Sequence, residues 1–389
     1  MIADVIFQAM KKSMFFALAT LGLVAFASCK KEEEKTPEAA PELTNETQIT
    51  GIPFTGGEFT YEFDSNKKWT VAGEVEVTIE GQTYEFGLNP TSGDAGHGVV
   101  TVTVPANKGA KEISYSFTLT LLGEDKDTKP LTKTVSLTIP APSVTDAAGN
   151  TYKVVYLKDG NYWMAENLRY VPEGLTPSKD LKNVTAGVYY PIKVSDDHTK
   201  AIQTSDENDI KAYGYLYQAE TAFGLAINSL KTEEEAKRVE GTQGICPKGW
   251  HIPTSKDIIN LVGKSVSPFT LNDKAPYYDG KNASIKLLNE DSFNIASWGA
   301  ISIQDNSKTE ATLMGWMKNN PDIISSGYIH GSTFAQKYEF PQGGTQTGIK
   351  NIQFLGIMPM AGNGTANGAK LSYKIGASVR CVMDKATKE

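Results

Sequence analysis

Cysteine and histidine are both scarce in this chain of 389 residues, with three of the first and four of the second. His97, His198, His251 and His330 lie far apart, with no His-x-x-x-His or Cys/His cluster, so a zinc site is not expected. A Gly-x-Ser-x-Gly elbow, a Walker loop and a dinucleotide fingerprint are all missing, which removes the sequence marks of common hydrolases, NTPases and dehydrogenases. No cofactor is expected. Basic charge is also short: 38 Lys plus Arg against 45 Asp plus Glu leave a net charge of -7. That balance disfavours a surface built to hold nucleic acid phosphates, so no nucleic acid partner is expected. Paired carboxylates stay open, because proximity in space is invisible in one sequence. Charged residues at 21%, 35 glycines, 15 Phe and 17 Tyr are those of folded, strand-rich material and exclude a disordered or collagen-like chain. The length allows two or three domains.

Only one apolar run is long enough to consider as a membrane segment, and it lies at the N-terminus. Lys11 and Lys12 precede fourteen uncharged residues, Met14 to Ala27, followed by Ser28 and Cys29. This basic, apolar, small order is that of a secretory signal, and the run is too short for a comfortable transmembrane helix. Phe26-Ala27-Ser28-Cys29 resembles the lipobox of bacterial lipoproteins, which implies acylation of Cys29 and a membrane partner through that lipid anchor; Phe26 departs from the usual Leu. Asp4 ahead of the basic pair is odd for a signal and leaves Met1 and Met10 both open as the start. Residues 29–43, with Lys30-Lys31-Glu32-Glu33-Glu34-Lys35, have no apolar periodicity and are expected to form a solvated tether. The acidic triplet resembles the export signal of Bacteroidetes lipoproteins displayed on the outer face of the outer membrane, which implies a lipid-anchored, cell-surface location.

With Cys29 assigned to lipid, Cys246 and Cys381 form an even pair in a chain that leaves the cytoplasm. A disulfide between them is the economical expectation, with two buried free thiols as the alternative.

Residues 44–142 alternate apolar and polar residues in short runs: Phe59 to Phe63, Glu74 to Ile79, Val99 to Val104, Tyr115 to Leu121 and Thr134 to Ile139. Period two, broken by Gly, Pro, Asn and Asp, predicts about seven antiparallel strands in an all-β sandwich of immunoglobulin-like size. Trp69-Thr70-Val71 followed by Asn89 to Asn107 resembles the BACON domain, an immunoglobulin-like module; this implies a spacer, with carbohydrate binding as the other role suggested for that family. Gly93, Gly96 and Gly98 are expected to serve turns, and Trp69 to sit in the core.

After the stiff break Ile139-Pro140-Ala141-Pro142, a larger unit spans residues 143–385. It opens on an Asx-type turn at Asp146 leading into a strand, then a tight turn at Asp159-Gly160-Asn161. Asp146 to Tyr152, Trp163 to Leu168, Tyr213 to Tyr217, Gly244 to Thr254 and Ala377 to Val382 resemble the successive signatures of the Fibrobacter succinogenes major paralogous domain. The resemblance implies an α+β, C-type-lectin-like fold with two helices against irregular antiparallel sheets. Cys246 and Cys381 match the family's two cysteines. Catalytic relatives in that fold group use a cysteine pair with copper; neither cysteine here sits in such a pattern, so enzymatic activity is not expected.

Thr254-Ser255-Lys256-Asp257 has the spacing of a capping box, predicting a helix after Pro253. A second helix is expected over Tyr213 to Leu230, weakened by Gly214 and Gly224, with the charged run Lys231 to Arg238 extending or following it. Trp163, Trp250, Tyr215 and Tyr217 are expected in the core, and Glu166 and Asn167 to orient a loop. Asp206-Glu207-Asn208-Asp209 is read as a solvated turn rather than a calcium site, and Asn320-Pro321-Asp322 as loop punctuation rather than a lectin metal loop. The segment Tyr277 to Gln346 carries Tyr277, Tyr278, Trp298, Trp316, Tyr328 and Tyr338 among short polar residues, and these aromatics are the candidate ligand-binding residues. The reading is a non-enzymatic surface lipoprotein whose head binds a glycan or protein; the alternative is a structural subunit of an envelope or fimbria-like assembly.

Overall fold

The computed structural model describes residues 39–123, 128–180, 183, 185–195, 201–266, 269–280, 283–295, 300–302, 312–314, 327–334, 351–358, 365–372 and 375–385. Cys29, the apolar run before it and the start of the tether lie outside these residues. The end of the tether is not free: Asn66 donates to the Ala40 carbonyl at 2.8 Å, and Leu43–Thr44 pairs with the strand Gly57–Ser65.

Strict alternation places one apolar face of each early strand inward. Ile113–Leu121 buries every second residue from Ile113 to Leu121, and Leu131–Ile139 buries Val135, Leu137 and Ile139. Among the described residues two four-stranded antiparallel sheets result. One holds Leu43–Thr44, Gly57–Ser65, Gly96–Val104 and Gly87–Asn89 in that order; the other holds Leu131–Ile139, Ile113–Leu121, Trp69–Gly73 and Ser92–Gly93. A separate hairpin, Glu76–Ile79 with Gln82–Glu85, stands beside them. Tyr61 and Phe63 from one sheet meet Phe117 and Trp69 from the other, edge to face at 5.7 and 5.1 Å, so the core is a sandwich filling.

Two glycines do not have the turn role expected of them. A Cβ at Gly93 would stand 2.4 Å from the Trp69 ring, and one at Gly98 2.5 Å from the Phe63 ring. Both lie within strands, where the missing side chain makes room for a buried aromatic. Gly96, at φ 120°, does need glycine's backbone freedom.

Residues 143–385 are built around a five-stranded antiparallel sheet. Its order is Ser143–Thr145, Thr151–Tyr156, Tyr162–Met164, Val382–Met383, Trp250–His251, so the last strand of the described residues is inserted between early and middle ones. A second sheet joins Phe269–Leu271, Lys264–Val266, Thr365–Ser372, Asn351–Met358 and Gly327–Phe334. The helix after Pro253 forms as its capping box requires, over Ser255–Val262, with both reciprocal Thr254 and Asp257 bonds present. Ile258, Leu261 and Val262 bury its apolar face against Trp163 and Ile329.

The expected helix over Tyr213 to Leu230 is not one helix. Glu207–Tyr213 is helical and stops at Gly214, whose φ is 68° and whose Cβ would stand 2.6 Å from that of Asn167. Leu216–Tyr217 is a strand, and a four-residue helix, Ala219–Ala222, follows before Gly224 at φ 72°. Two left-handed glycines therefore divide a segment whose apolar content alone suggests continuity. The charged run follows as a separate helix, Glu233–Arg238, capped by Thr232. Asp206 is the N-cap of Glu207–Tyr213, accepting from the N–H groups of Asn208 and Asp209.

Gly98→Ala is expected to destabilise the protein by about 1–3 kcal/mol in urea unfolding, because the Phe63 ring has nowhere to retreat. An unchanged midpoint would show that the ring is free to move.

Candidate functional site

The segment Ala377 to Val382, itself the last of the five signature blocks, is the node on which the other four converge. Ala377 exchanges two backbone bonds with Tyr217, at 2.8 and 3.0 Å. The Val379 and Cys381 carbonyls accept from the N–H groups of Leu168 and Met164, at 2.8 and 3.0 Å. Asn167 is the hub beneath them. Its amide nitrogen donates to the Tyr213 carbonyl at 2.7 Å and to the Ser378 hydroxyl at 3.3 Å, while its oxygen accepts from Arg380 Nε at 2.7 Å. The rest of the Arg380 guanidinium donates to the carbonyls of Phe293 and Asn294 and lies over the Phe293 ring. Burial draws the Arg380 pKa down to about 9, opposed by Glu166, which still leaves the group charged at neutral pH. A charge so deeply placed is stable only while its donors are used, as they are here. Glu166 in turn accepts the Lys153 N–H at 2.8 Å. The first block joins through Tyr152, whose hydroxyl donates to Asp146 at 2.5 Å and accepts the Arg169 N–H at 2.9 Å.

Cys246 and Cys381 are disulfide-bonded, with Cα atoms 5.9 Å apart, and both are buried. The alternative of two free thiols is thereby settled, and neither sulfur is available as a nucleophile.

A second polar group gathers around the end of the same strand. His251 Nδ1 meets Asp384 at 2.7 Å and Nε2 meets Asp257 at 3.2 Å. Burial works against protonation of His251, but the bonds from Asp257 and Asp384 outweigh it and raise its pKa. Asp257 is likewise pushed up by burial, and the bonds from His251 and Thr254 bring it below the usual carboxylate range. Both imidazole nitrogens face carboxylates, so the ring clamps the end of the chain to the helix Ser255–Val262 rather than offering a base. Nearby, burial holds Asp159 above the usual range, against hydrogen bonds from Asn161 and Trp163. Among the described residues no group of His, Cys, Asp and Glu is arranged to hold a metal ion.

A family model described as the Fibrobacter succinogenes major domain matches residues 159–383, more than half of the chain. The chain belongs to the Fibrobacter succinogenes major domain family. No curated protein matches it. Among solved structures it is similar to the ASH/PapD-like domain of human CEP192, at 17% identity over 31% of this chain and 98% of that one, with a TM-score of 0.21. It is also similar to a Bacteroides ovatus GH5 xyloglucanase in complex with a XXXG heptasaccharide, at 14% identity over 43% of this chain and 31% of that one, again with a TM-score of 0.21. Neither likeness is close enough to carry an argument about fold or activity.

Of the candidate aromatics in this Fibrobacter succinogenes major domain, the described residues place the side chains of Tyr277 and Tyr278. Tyr277 is 1% exposed; its hydroxyl donates to Asp291 at 2.7 Å and accepts the Lys158 N–H at 3.2 Å. It is a core residue and not the ligand contact expected of it, because no face of the ring reaches solvent. Tyr278 is half-buried and stands over Gly263, where a Cβ would come within 2.6 Å of its own. Tyr328 lies in the strand Gly327–Phe334, paired with Gly356. Trp298, Trp316 and Tyr338 lie outside the described residues, as do Asn320-Pro321-Asp322. Trp163, Trp250 and Tyr217 are buried as expected, whereas Tyr215 is only half-buried.

The structure brings together an aromatic pair that sequence reasoning missed. Tyr190 and Tyr215 extend the pairing of Val188–Tyr189 with Leu216–Tyr217 and meet edge to face at 5.8 Å. Lys179 lies 5.4 Å from the centre of the Tyr190 ring and donates to Ser205 at 2.7 Å. Half-exposed tyrosines beside a cation and hydroxyls are the surface chemistry that a sugar or peptide would use. Residues 25 apart carry no signal of this meeting until the strand register is known.

His251→Gln tests the clamp through its pH dependence. A raised histidine stabilises the fold at mildly acidic pH and loses that contribution as pH rises through its folded value; lowered Asp257 loses its share as pH falls through its own. The stability difference between wild type and His251→Gln is therefore expected to peak in mildly acidic buffer, at about 1–3 kcal/mol, and to shrink above neutrality. A difference that stays flat across that range in urea titrations would remove the clamp. The disulfide closes a loop of 135 residues, and its loss is expected to cost up to about 5 kcal/mol. Unfolding with and without reductant followed by alkylation measures this; equal midpoints would contradict it.

Proposed function

We infer that this chain is a non-enzymatic lipoprotein held in the outer membrane and displayed on the cell surface, with a head that binds a glycan or protein ligand. The observation that carries the reading is the order Lys11-Lys12, apolar Met14 to Ala27, Cys29 and a charged tether, followed by a folded unit containing a disulfide. A persisting disulfide suits a protein that leaves the cytosol. Two or more acyl chains at Cys29 would anchor it stably, where one would bind only marginally. The sandwich is read as a BACON-type, immunoglobulin-like spacer and the head as a C-type-lectin-like fold, both on the motifs quoted above. The half-exposed Tyr190, Tyr215 and Lys179 surface is the described place where a ligand fits this reading best.

Metabolic labelling with an alkyne fatty acid, combined with protease treatment of intact cells, tests the anchor. Label on the wild type, its loss in Cys29→Ser and proteolysis from outside are expected; an unlabelled wild type overturns the reading. For binding, retention on an array of glycans and host proteins is expected to fall about tenfold in a Tyr190→Ala/Tyr215→Ala variant, the loss of one to two kcal/mol typical of a contact aromatic. A variant that retains every wild-type ligand would move the site elsewhere. Failure to bind any ligand, with stable co-purification of other envelope proteins, would favour a structural subunit instead.

A further inference from the structure

The break at Ile139-Pro140-Ala141-Pro142 reads in the sequence as a stiff spacer between two independent units, but both of its ends are consumed by the fold. The Pro140 carbonyl accepts from Asn107 Nδ2 at 2.9 Å, on the sandwich side. The Pro142 carbonyl accepts from the Val154 N–H at 3.1 Å, on the head side, and Pro142 is buried. Ser143–Thr145 then begins the head's own sheet immediately.

Around this short crossing the two cores touch. Asn107 is fully buried and organises the sandwich side: its amide also donates to the Lys111 carbonyl at 2.7 Å, its oxygen accepts the Gly109 N–H at 2.9 Å, and its N–H reaches the Phe54 carbonyl at 2.6 Å. From the head, the Tyr162 hydroxyl donates to the Asn107 carbonyl at 2.9 Å. Phe54, which follows the buried sandwich residue Ile52, leaves the sandwich core and packs against the head cluster, meeting Tyr162 edge to face at 5.1 Å. Tyr156 stands against Tyr162 at 4.9 Å, with the Lys108 ammonium 4.8 Å above its ring. Tyr162 itself lies in the strand that pairs with Val382, so the joint is one residue removed from the signature node.

We propose that the sandwich and the head are one folding and mechanical unit, locked by Asn107, Phe54 and Tyr162, so that the sandwich fixes the direction in which the head is presented. Interfaces between independent domains are usually polar and permit motion, whereas this one packs the buried Tyr162 against half-buried Phe54 and Tyr156 and carries the buried bond from Tyr162 to the Asn107 carbonyl. The inference holds whatever the head binds.

Amide hydrogen exchange read by mass spectrometry on the full chain tests it. Leu119→Ala lies wholly in the sandwich core, remote from the joint. It is expected to speed exchange at least about tenfold in the strand Ile113–Leu121 and equally in head peptides covering residues 162–168 and 376–383, as one cooperative unit requires. Tyr162→Phe keeps the ring and loses only the bond to Asn107, so it folds; combined with Leu119→Ala it is expected to weaken the transmission. Phe54→Ala/Tyr162→Ala is expected to abolish it, leaving acceleration confined to the sandwich. Head peptides that do not respond to Leu119→Ala in the otherwise unaltered chain would overturn the proposal.

Discussion

The head depends on the strand that comes last in sequence among the described residues. Val382–Met383 sits between Tyr162–Met164 and Trp250–His251, and the residues just before it supply Arg380 and Cys381. Until that segment docks, the central sheet is split, Asn167 has no guanidinium to accept from, and the disulfide has no partner. Contacts separated by more than two hundred residues carry a large entropic cost before they return anything. The density of bonds at this node, with the Leu168 and Met164 amides, Ser378, Asn167, Arg380, Cys381 and Asp384 all engaged, is the compensation. The disulfide then shortens the unfolded chain's freedom on the same segment.

Much of this was legible in the sequence because it is local. Period-two runs named the long sandwich strands, Thr254 and Asp257 marked a helix start, and Asp146 marked a turn, since each depends on neighbours within a few residues. Legibility failed where a residue answers to something distant. Gly93 and Gly98 read as turn glycines, yet they are spaces under Trp69 and Phe63; Gly214 and Gly224 read as weak points in one helix, yet they end two. Tyr277 had the composition of a binding face and went to the core, because Asp291 and the Lys158 backbone satisfy its hydroxyl there. The Tyr190 and Tyr215 pair needed a strand register that no single-sequence pattern gives.

Family membership and geometry speak to the same residues in different ways. The polar residues of the signature blocks are largely engaged within the domain: Asn167 with Arg380, Tyr152 with Asp146, and His251 with Asp257 and Asp384 just beyond the blocks. Groups so engaged hold a frame. Under the proposed function, recognition falls to side chains that the frame leaves half-exposed: Tyr215 from within a block, and Tyr190 and Lys179 from outside the blocks.

The most direct measurement is native-state hydrogen exchange on the full chain and on a version ending at Ala377, read at residues 162–168 and 250–258. If the last segment completes the head, removing it will abolish protection in both peptides, although neither has been altered. Protection retained in both peptides would contradict a fold closed from its C-terminal end.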